Sequence, residues 1–291
     1  MSLLLLILVL VGACGVVFAL IRSRPSEEAG ASGGEEGVAS EHLRLPELAL
    51  RIHFAELSLD EEIELLRGNS RQLSEWMALL VADKAEEALR QATEVHATHP
   101  RSRVATCFLL RAHLAMRDNA GAAKVAQAYF EAMGSADCQS LLQTWHHLRA
   151  MNVLPGEETA RDVLGLVVEA NLPQEGGGPT IPTLLVALLD GGSMLHRGRR
   201  MVPEGPDTRP EVQAAAKALV EAAAKVERPA PSARPSAPVA GDKMRFTFLT
   251  PGGPSVMEVD IGEVAQNAFL PLSIPFLLAS KLVVLKSSGS A

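Results

Sequence analysis

The sequence predicts a mainly α-helical protein with an N-terminal transmembrane helix, an α-α helical-repeat (solenoid) body and a small C-terminal domain that contains a β-hairpin. Three observations lead to this prediction. The chain begins with an apolar run closed by arginines, its middle is rich in alanine and leucine, and apolar residues alternate with polar ones only in its last fifty residues. Aromatic residues make up 4% of the chain, which favours helix over extensive sheet.

The run from Leu3 to Ile21 contains no ionisable side chain, and Arg22 and Arg24 follow it. Its 19 residues, each rising 1.5 Å in a helix, are long enough to cross a hydrocarbon core about 30 Å thick. Because positive residues flank the cytoplasmic end of a span, the body is expected on the cytosolic side or its organellar equivalent. The sequence therefore predicts a single-pass membrane protein anchored by residues 3–21.

Two removable signals are alternatives to this anchor. The segment Val11–Cys14 resembles a lipobox, in which small residues precede a cysteine that is acylated. A cleaved secretory signal also begins with an apolar run, but it usually carries positive side chains first. Apolar residues continue here from Gly15 to Ile21, where a lipoprotein begins a polar tether. These features favour the uncleaved anchor.

Changes in composition divide the chain into five segments. Two of them are linkers, because the first is rich in Gly, Ser, Ala and Glu and the second alternates proline with small residues. The predicted segments are a membrane anchor (1–24), a flexible linker (25–40), a helical-repeat body (41–228), a Pro/Ala-rich linker (229–241) and a small β-containing domain (242–291).

Within the body, amphipathic patterns are separated by capping residues and helix breakers. Ser58 and Glu61 have the spacing of a capping box, in which each side chain accepts a free amide at the start of a helix. Similar signals and apolar residues three and four apart predict further helices. The predicted helices include residues 102–116, 118–133, 138–151, 157–170 and 211–227.

Alanine and methionine recur 35 residues apart, as in Ala88 and Ala123 or Met116 and Met151. Helix pairs with such a period stack on their neighbours to close a core. The segment from Tyr129 to Thr159 ends one helix in an aromatic-then-Met pattern, continues through a loop with Pro155 and opens the next helix with Thr. On these features, residues 86–190 resemble degenerate pentatricopeptide repeats, and tetratricopeptide repeats are similar.

The pentatricopeptide resemblance implies single-stranded RNA binding in an organelle, one base for each repeat. In this chain Arg161 stands just after Thr159, where that family usually carries Asn, Ser or Thr. Residues 86–190 also contain 12 acidic and only 8 basic side chains, a balance that disfavours phosphate binding. We therefore expect protein interaction, with RNA binding as the alternative.

The candidate partner-binding residues are basic. Most of them cluster in a segment broken by glycines, which suits an acidic partner, a phosphate or an anionic lipid head group, or else is a solvated connector. Four aromatic residues are expected to serve either as further contacts or as core: Phe108, Tyr129, Phe130 and Trp145. The candidate basic residues are Arg149, Arg161, His196, Arg197, Arg199 and Arg200.

The sequence shows no catalytic or metal-binding motif. His96, His99 and His113 have no further ligand at a suitable spacing and are expected to be solvated. Cys107 and Cys138 lie in helical patterns and are expected to be buried small hydrophobes. Neither a phosphate-binding loop nor a Gly-x-Ser-x-Gly motif is present. We expect no cofactor and no enzymatic activity.

In the last fifty residues the pattern changes to strict alternation. Met244, Phe246 and Phe248 alternate with polar residues, and a similar run near residues 257–261 follows the turn signal at 251–254. This pattern predicts a β-hairpin with one buried face, and residues 282–285 are a candidate third strand.

Together these features predict a membrane-tethered, non-enzymatic scaffold or assembly subunit of a membrane complex. Its repeats would bind a protein partner at the membrane surface, because the anchor raises the local concentration of both. The alternative is an organellar RNA-binding protein.

Overall fold

A computed structural model of the protein describes residues 47–134, 136–172, 180–198, 200–201, 209–267 and 270–288. The described residues fall into two compact units. The helical unit comprises residues 47–162 together with 250–253. The α/β unit comprises the described residues of 163–249 and 254–288.

The helical unit contains eight helices among its described residues, most of them joined to the next by a short turn. They are α1 (Glu47–His53), α2 (Leu59–Arg67), α3 (Arg71–Val81), α4 (Ala85–Thr98), α5 (Arg103–Ala115), α6 (Asn119–Met133), α7 (Cys138–Ala150) and α8 (Glu157–Ala160).

Side-chain caps explain where five of these helices begin, because each cap satisfies a backbone amide that has no partner within the helix. The predicted capping box is confirmed: Ser58 Oγ accepts from the Glu61 amide, and the Glu61 carboxylate accepts from the Ser58 amide. The other capping residues are Ser70, Ser102, Asp118 and Asp137.

Four helices end in the same way. After each one a residue adopts a positive φ, and the next amide bonds back five residues to a carbonyl in the last turn, as in a Schellman motif. The positive φ values are 53° at Ala55, 60° at Asp83, 57° at Arg117 and 60° at Asn152. The closing bonds are Glu56 to Arg51, Lys84 to Leu79, Asp118 to His113 and Val153 to Leu148, all 2.8–2.9 Å.

The helical core is built from small and aromatic side chains. Ala88 and Ala92 on α4 are fully buried, as are Ala122 and Ala126 on α6, 34 residues further along. Alanine at these positions lets neighbouring helices approach closely. Trp76 packs against Phe108 at a ring-centroid distance of 5.3 Å.

The α/β unit contains a six-stranded antiparallel sheet in the order β4-β3-β2-β1-β5-β6. Its described elements are β1 (Gly165–Leu172), β2 (Ile181–Leu188), β3 (Ser193–Arg197), β4 (Arg200–Met201), α9 (Pro210–Ala224), β5 (Lys243–Leu249), β6 (Ser255–Asp260), α10 (Ile261–Gln266) and α11 (Ser273–Ser288).

One face of this sheet packs against α9 and α11 and forms the core of the unit. Leu166 and Val168 of β1 point to this face with Phe246 and Phe248 of β5, their register partners. The opposite face is also buried at its centre, where Val167 and Thr247 are register partners. Because β1 is buried on both sides in its first half, residues 165–168 form a continuous apolar run without alternation.

The predicted fold class is wrong. The predicted hairpin exists as β5 and β6, but it belongs to a sheet whose other four strands lie within the predicted helical body. The helix predicted over 157–170 ends at Ala160, and β1 begins at Gly165. The candidate third strand at 282–285 is instead part of the helix α11, which packs against α9.

The Pro/Ala-rich segment 229–241 is not a free spacer between domains. Pro229 accepts a hydrogen bond from Ser255 on β6, and Val239 accepts one from Asn171 on β1, both 2.9 Å long. The segment is thus hydrogen-bonded to the sheet, and its two flanking regions belong to the same unit.

Within the described parts of residues 47–288, no helix has both the length and the apolar character needed to cross a membrane. This finding contradicts the predicted transmembrane helix and the single-pass localisation. The segment Leu3 to Ile21, on which both predictions depend, lies outside the described residues, as do the lipobox and the linker 25–40.

Candidate functional site

The most strongly organised polar site in the described structure lies inside the helical unit, where α2, α5 and α7 meet at Glu62. The capping box at Ser58 fixes the start of α2, and Glu62 then falls on the buried side of the helix with Leu59 and Ile63. On α5, Ser102 caps the helix and Arg103 is its first residue. Both charged side chains are therefore placed by local capping.

Glu62 has a charged or polar partner on each of its two oxygens. The guanidinium of Arg103 donates from Nε to Oε1 at 2.6 Å and from Nη2 to Oε2 at 2.7 Å. His147 of α7 contacts Oε2 through Nε2 at 2.6 Å. The side chains of Glu62 and Arg103 are only 11% and 14% exposed, so this bidentate pair is shielded from water.

Burial and pairing shift the pKa of the Glu62 carboxyl in opposite directions. Burial alone raises its pKa, but the His147 hydrogen bond and the Arg103 charge outweigh burial and lower the pKa to about 2. For His147, burial has the larger effect and lowers the pKa despite the nearby carboxylate. At neutral pH the site therefore contains a carboxylate, a guanidinium and a neutral imidazole.

Further groups of α5 and α7 bind the segment that leads into α2. Gln143 accepts from the Leu57 amide at 3.3 Å and donates to the Leu57 carbonyl at 2.6 Å. Gln139 donates to the carbonyl of Ile52. Outside the buried part, Arg111 donates to Asp60 at 2.8 Å.

The chemistry available at this site is recognition of a carboxylate. Cys107, the nearby thiol, is buried, and burial raises its pKa well above the ordinary range. It stays protonated near neutral pH and therefore makes a poor nucleophile. Tyr129 lies under Arg103, with its ring centroid 5.4 Å from the guanidinium carbon. The groups on α5 and α7 hold an anionic helix in place.

A second ionic cluster, centred on the buried Arg245, lies in the α/β unit, on the sheet face opposite α9 and α11. Glu169, Arg245 and Glu258 occupy one register position across β1, β5 and β6. Arg245 donates from Nε to Glu258 at 2.8 Å, and its Nη1 is 3.5 Å from Glu169. It also donates to the Ala237 carbonyl, which helps hold the segment 229–241 on this face.

The two candidate arginines of the helical unit are already engaged with the protein. The half-buried Arg149 donates to the carbonyl of Pro251, a residue of the same unit. Burial lowers the pKa of Arg149. Arg161 is exposed and forms an ion pair with Glu157 at 3.3 Å.

In the α/β unit, the described residues of the predicted basic cluster lie on the strands β3 and β4. His196 is fully buried on β3 opposite Leu184, so it is not in a solvated connector. Arg197 is half-buried at the end of β3, and its register partner is Arg200 of β4. Arg199 lies outside the described residues.

Other sequence predictions have mixed outcomes. Cys107 and Cys138 are buried free cysteines, as expected, whereas His96 is buried instead of solvated. Among the four aromatic candidates, Phe108 and Tyr129 are core residues. Phe130 and Trp145 stack on each other with ring centroids 4.7 Å apart.

Sequence reasoning missed the Glu62 site because its members are 41 to 85 residues apart. One signal was nevertheless present. Leu59, Glu62 and Ile63 have the spacing of an apolar helical stripe, so a carboxylate stands where a core residue is expected. A charged residue at such a position requires a buried partner.

Comparison of the chain with family models, with curated proteins and with solved structures gives no match. In the part of the chain that the structure describes, no group of three or more His, Cys, Asp or Glu side chains is arranged to hold a metal ion.

Proposed function

We propose that this protein is a non-enzymatic scaffold that binds other proteins through its helical unit. The observation that carries this proposal is the set of exposed apolar side chains beside the recurring helix ends. Val81, Met116 and Leu154 are 88%, 53% and 73% exposed, and each lies within two residues of a positive-φ residue. We call these three residues the apolar rim.

The apolar rim has the chemistry of a protein contact. A single exposed apolar residue is ordinary, but here one occurs close to the C-terminal end of each of α3, α5 and α7. Burying each of them in a partner would contribute about 1.5–3 kcal/mol. Stacked helix pairs also present an extended surface, which proteins of this architecture use for binding.

The charges of the helical unit favour a protein partner over RNA. Residues 47–162 contain 17 Asp and Glu side chains but 12 Lys and Arg, whereas RNA affinity depends largely on basic residues. Arg161 is paired with Glu157, and Arg149 donates to Pro251, so both candidate arginines have partners within the protein.

The proposal is tested with the tagged full-length protein in its native host. The eluate is split, one half is treated with nuclease, and protein and RNA are identified in both halves. We expect a stoichiometric protein partner that survives nuclease treatment and is lost from a variant carrying Val81→Asp and Met116→Asp. The matched control is Gln72→Asp, which places a carboxylate at an exposed position near the other end of α3.

Two results would contradict the proposal. Retention of the same partner by the rim variant would show that these residues are not the contact. Recovery of specific transcripts that disappear on nuclease treatment would favour the RNA-binding alternative.

A further inference from the structure

Residues 51–63 of the helical unit, which we call the inner segment, are bound like a ligand by two helices far away in the sequence. Side chains of α5 and α7, 41 to 87 residues downstream, bind polar groups along this segment. These helices provide three cationic or imidazole groups for carboxylates and two amides for backbone atoms. The binding side chains are Arg103, Arg111, Gln139, Gln143 and His147.

We infer that α5 and α7 form a docking groove for an acidic amphipathic helix, and that the inner segment occupies this groove as a built-in ligand. A partner segment of the same chemistry would replace it. This inference rests on the proposed function, since it names the kind of partner that a protein-binding helical unit would take.

The charge of the groove defines what can occupy it. Arg103 is largely buried, and a buried guanidinium without a carboxylate is strongly unfavourable. The groove is therefore open only to a segment that brings its own carboxylate to the position of Glu62. A neutral or basic helix would leave the buried guanidinium of Arg103 without a carboxylate.

The contacts also define a sequence pattern for the partner. Relative to Glu62, buried apolar residues stand three positions before, at Leu59, and one position after, at Ile63. An aspartate two positions before reaches Arg111, and Leu57, five positions before, is held through its backbone by Gln143. The pattern is an apolar residue, a capped helix start and then an acidic first turn.

The size of the inner segment makes replacement feasible. It includes part of α1 and the first turn of α2, and these helices have 7 and 9 residues. Helices of this length are unstable in isolation and depend on the surface that binds them. The connection from α2 to α3 is only residues 68–70, so the covalent link keeps the segment at a high effective concentration and competes with any partner.

The test removes that covalent advantage without removing the segment. A specific protease site is inserted between Gly68 and Asn69 of the full-length protein, and the purified protein is then cut. A fluorescein-labelled peptide of residues 47–67 is the probe, and its anisotropy reports binding. We expect the cut pieces to stay associated, the probe to exchange into the cut protein, and the uncut protein to bind it at least about tenfold more weakly.

Competition by unlabelled peptides tests the role of the carboxylate. A peptide with Glu62→Gln should compete at least about tenfold less well than the wild-type peptide, the equivalent of about 1.4 kcal/mol. The matched control is Glu64→Gln, because Glu64 is exposed and its ion pair is with Arg67 of the same helix. This control should compete like the wild-type peptide.

The inference is overturned by any of three results. They are aggregation of the cut protein or loss of its helical signal, failure of the probe to exchange, and equal competition by the two Gln peptides. These results are distinct from failure of the proposed function, which is measured by loss of a cellular partner from the rim variant. If the probe exchanges but the rim variant keeps its cellular partner, the docking groove is supported and the apolar rim is not the contact.

Discussion

The helical unit and the α/β unit each bury an arginine between groups that include glutamate, yet the two glutamate pKa values move in opposite directions. Burial raises the pKa of Glu169, and the charge of Arg245 does not overcome it. For Glu62, burial acts in the same direction, but His147 and Arg103 reverse it and bring the pKa to about 2.

The His147 contact to Glu62 and the geometry of the two arginines explain this difference. Arg103 directs two donors at the two oxygens of Glu62, at 2.6 and 2.7 Å. Arg245 directs its closer donors at Glu258, and its contact with Glu169 is 3.5 Å long. The two glutamate pKa values therefore move in opposite directions, because Glu62 has His147 and a bidentate arginine whereas Glu169 shares its arginine with Glu258.

The largest loss of stability is expected from removal of Arg103. Arg103→Met keeps much of the side-chain volume but leaves Glu62 buried without its cation, and we expect the free energy of unfolding of the helical unit to fall by about 3–5 kcal/mol. Both tryptophans, Trp76 and Trp145, lie in this unit, so tryptophan fluorescence in a denaturant titration reports on it alone.

The matched control is Arg111→Met, which removes the exposed partner of Asp60. Because Arg111 and Asp60 are 40% and 76% exposed, we expect a loss below about 1 kcal/mol. Equal losses in the two variants would show that burial does not distinguish these pairs.

The second test uses pH. A carboxyl whose folded pKa is lowered stabilises the protein above its unfolded pKa, near 4.5, and loses this contribution as the pH falls towards its folded value of about 2. For Glu62 the contribution at neutral pH is about 3 kcal/mol.

Glu62→Gln should remove this contribution, so the unfolding free energies of variant and wild type should converge as the pH falls from 4.5 to 2. The same fluorescence titration at several pH values measures this. Parallel pH profiles would contradict the assigned role of Glu62.

For Glu169 we expect a smaller contribution to stability, with the opposite dependence on pH. Its raised pKa means that its ionised form is disfavoured in the folded state, so its contribution is greatest at low pH and is lost as the pH rises through the folded value. Glu169→Gln should therefore leave the stability of the α/β unit at pH 7 unchanged or raise it by up to about 1 kcal/mol.

Hydrogen exchange of the amides of β1 and β5 measures this effect. Glu258→Gln is the comparison, because it removes the closer partner of Arg245 and should speed exchange. Slower exchange in the Glu258 variant than in the Glu169 variant would show that Glu169, and not Glu258, is the stabilising partner of Arg245.

The smallest effect is expected at Arg161. Its ion pair with Glu157 is exposed, with both side chains more than three-quarters accessible, so Arg161→Ala should change the free energy of unfolding by less than about 0.5 kcal/mol. A fluorescence titration checks this, and a loss comparable to that of Arg103→Met would show that exposure does not govern the strength of these pairs.

Sequence patterns predicted the central helices to within a few residues. The helix expected over 118–133 is observed at Asn119–Met133, and the one expected over 138–151 is observed at Cys138–Ala150. Asp118, Asp137 and Gly134 mark these ends by local hydrogen bonding and backbone geometry, which do not depend on the rest of the fold.

The sheet could not be predicted in the same way. The first half of β1 and the centre of β2 are apolar on both faces, so neither stretch shows the alternation that distinguishes a strand from a buried helix. α11 contains Val283 and Val284, which favour strands, but it is helical and packs against α9. In each case the tertiary environment overrides the local preference.

The sequence alone determined where several helices start and stop, and it determined the β5–β6 hairpin, because caps, turns and short-range alternation act between residues close in the chain. Only the tertiary structure decided that β1 to β4 join this hairpin in one sheet, and that Glu62 meets Arg103 and His147. The pairing of β1 with β5 and the contacts of Glu62 join groups 41 to 85 residues apart, and their stability arises when folding excludes water from both partners.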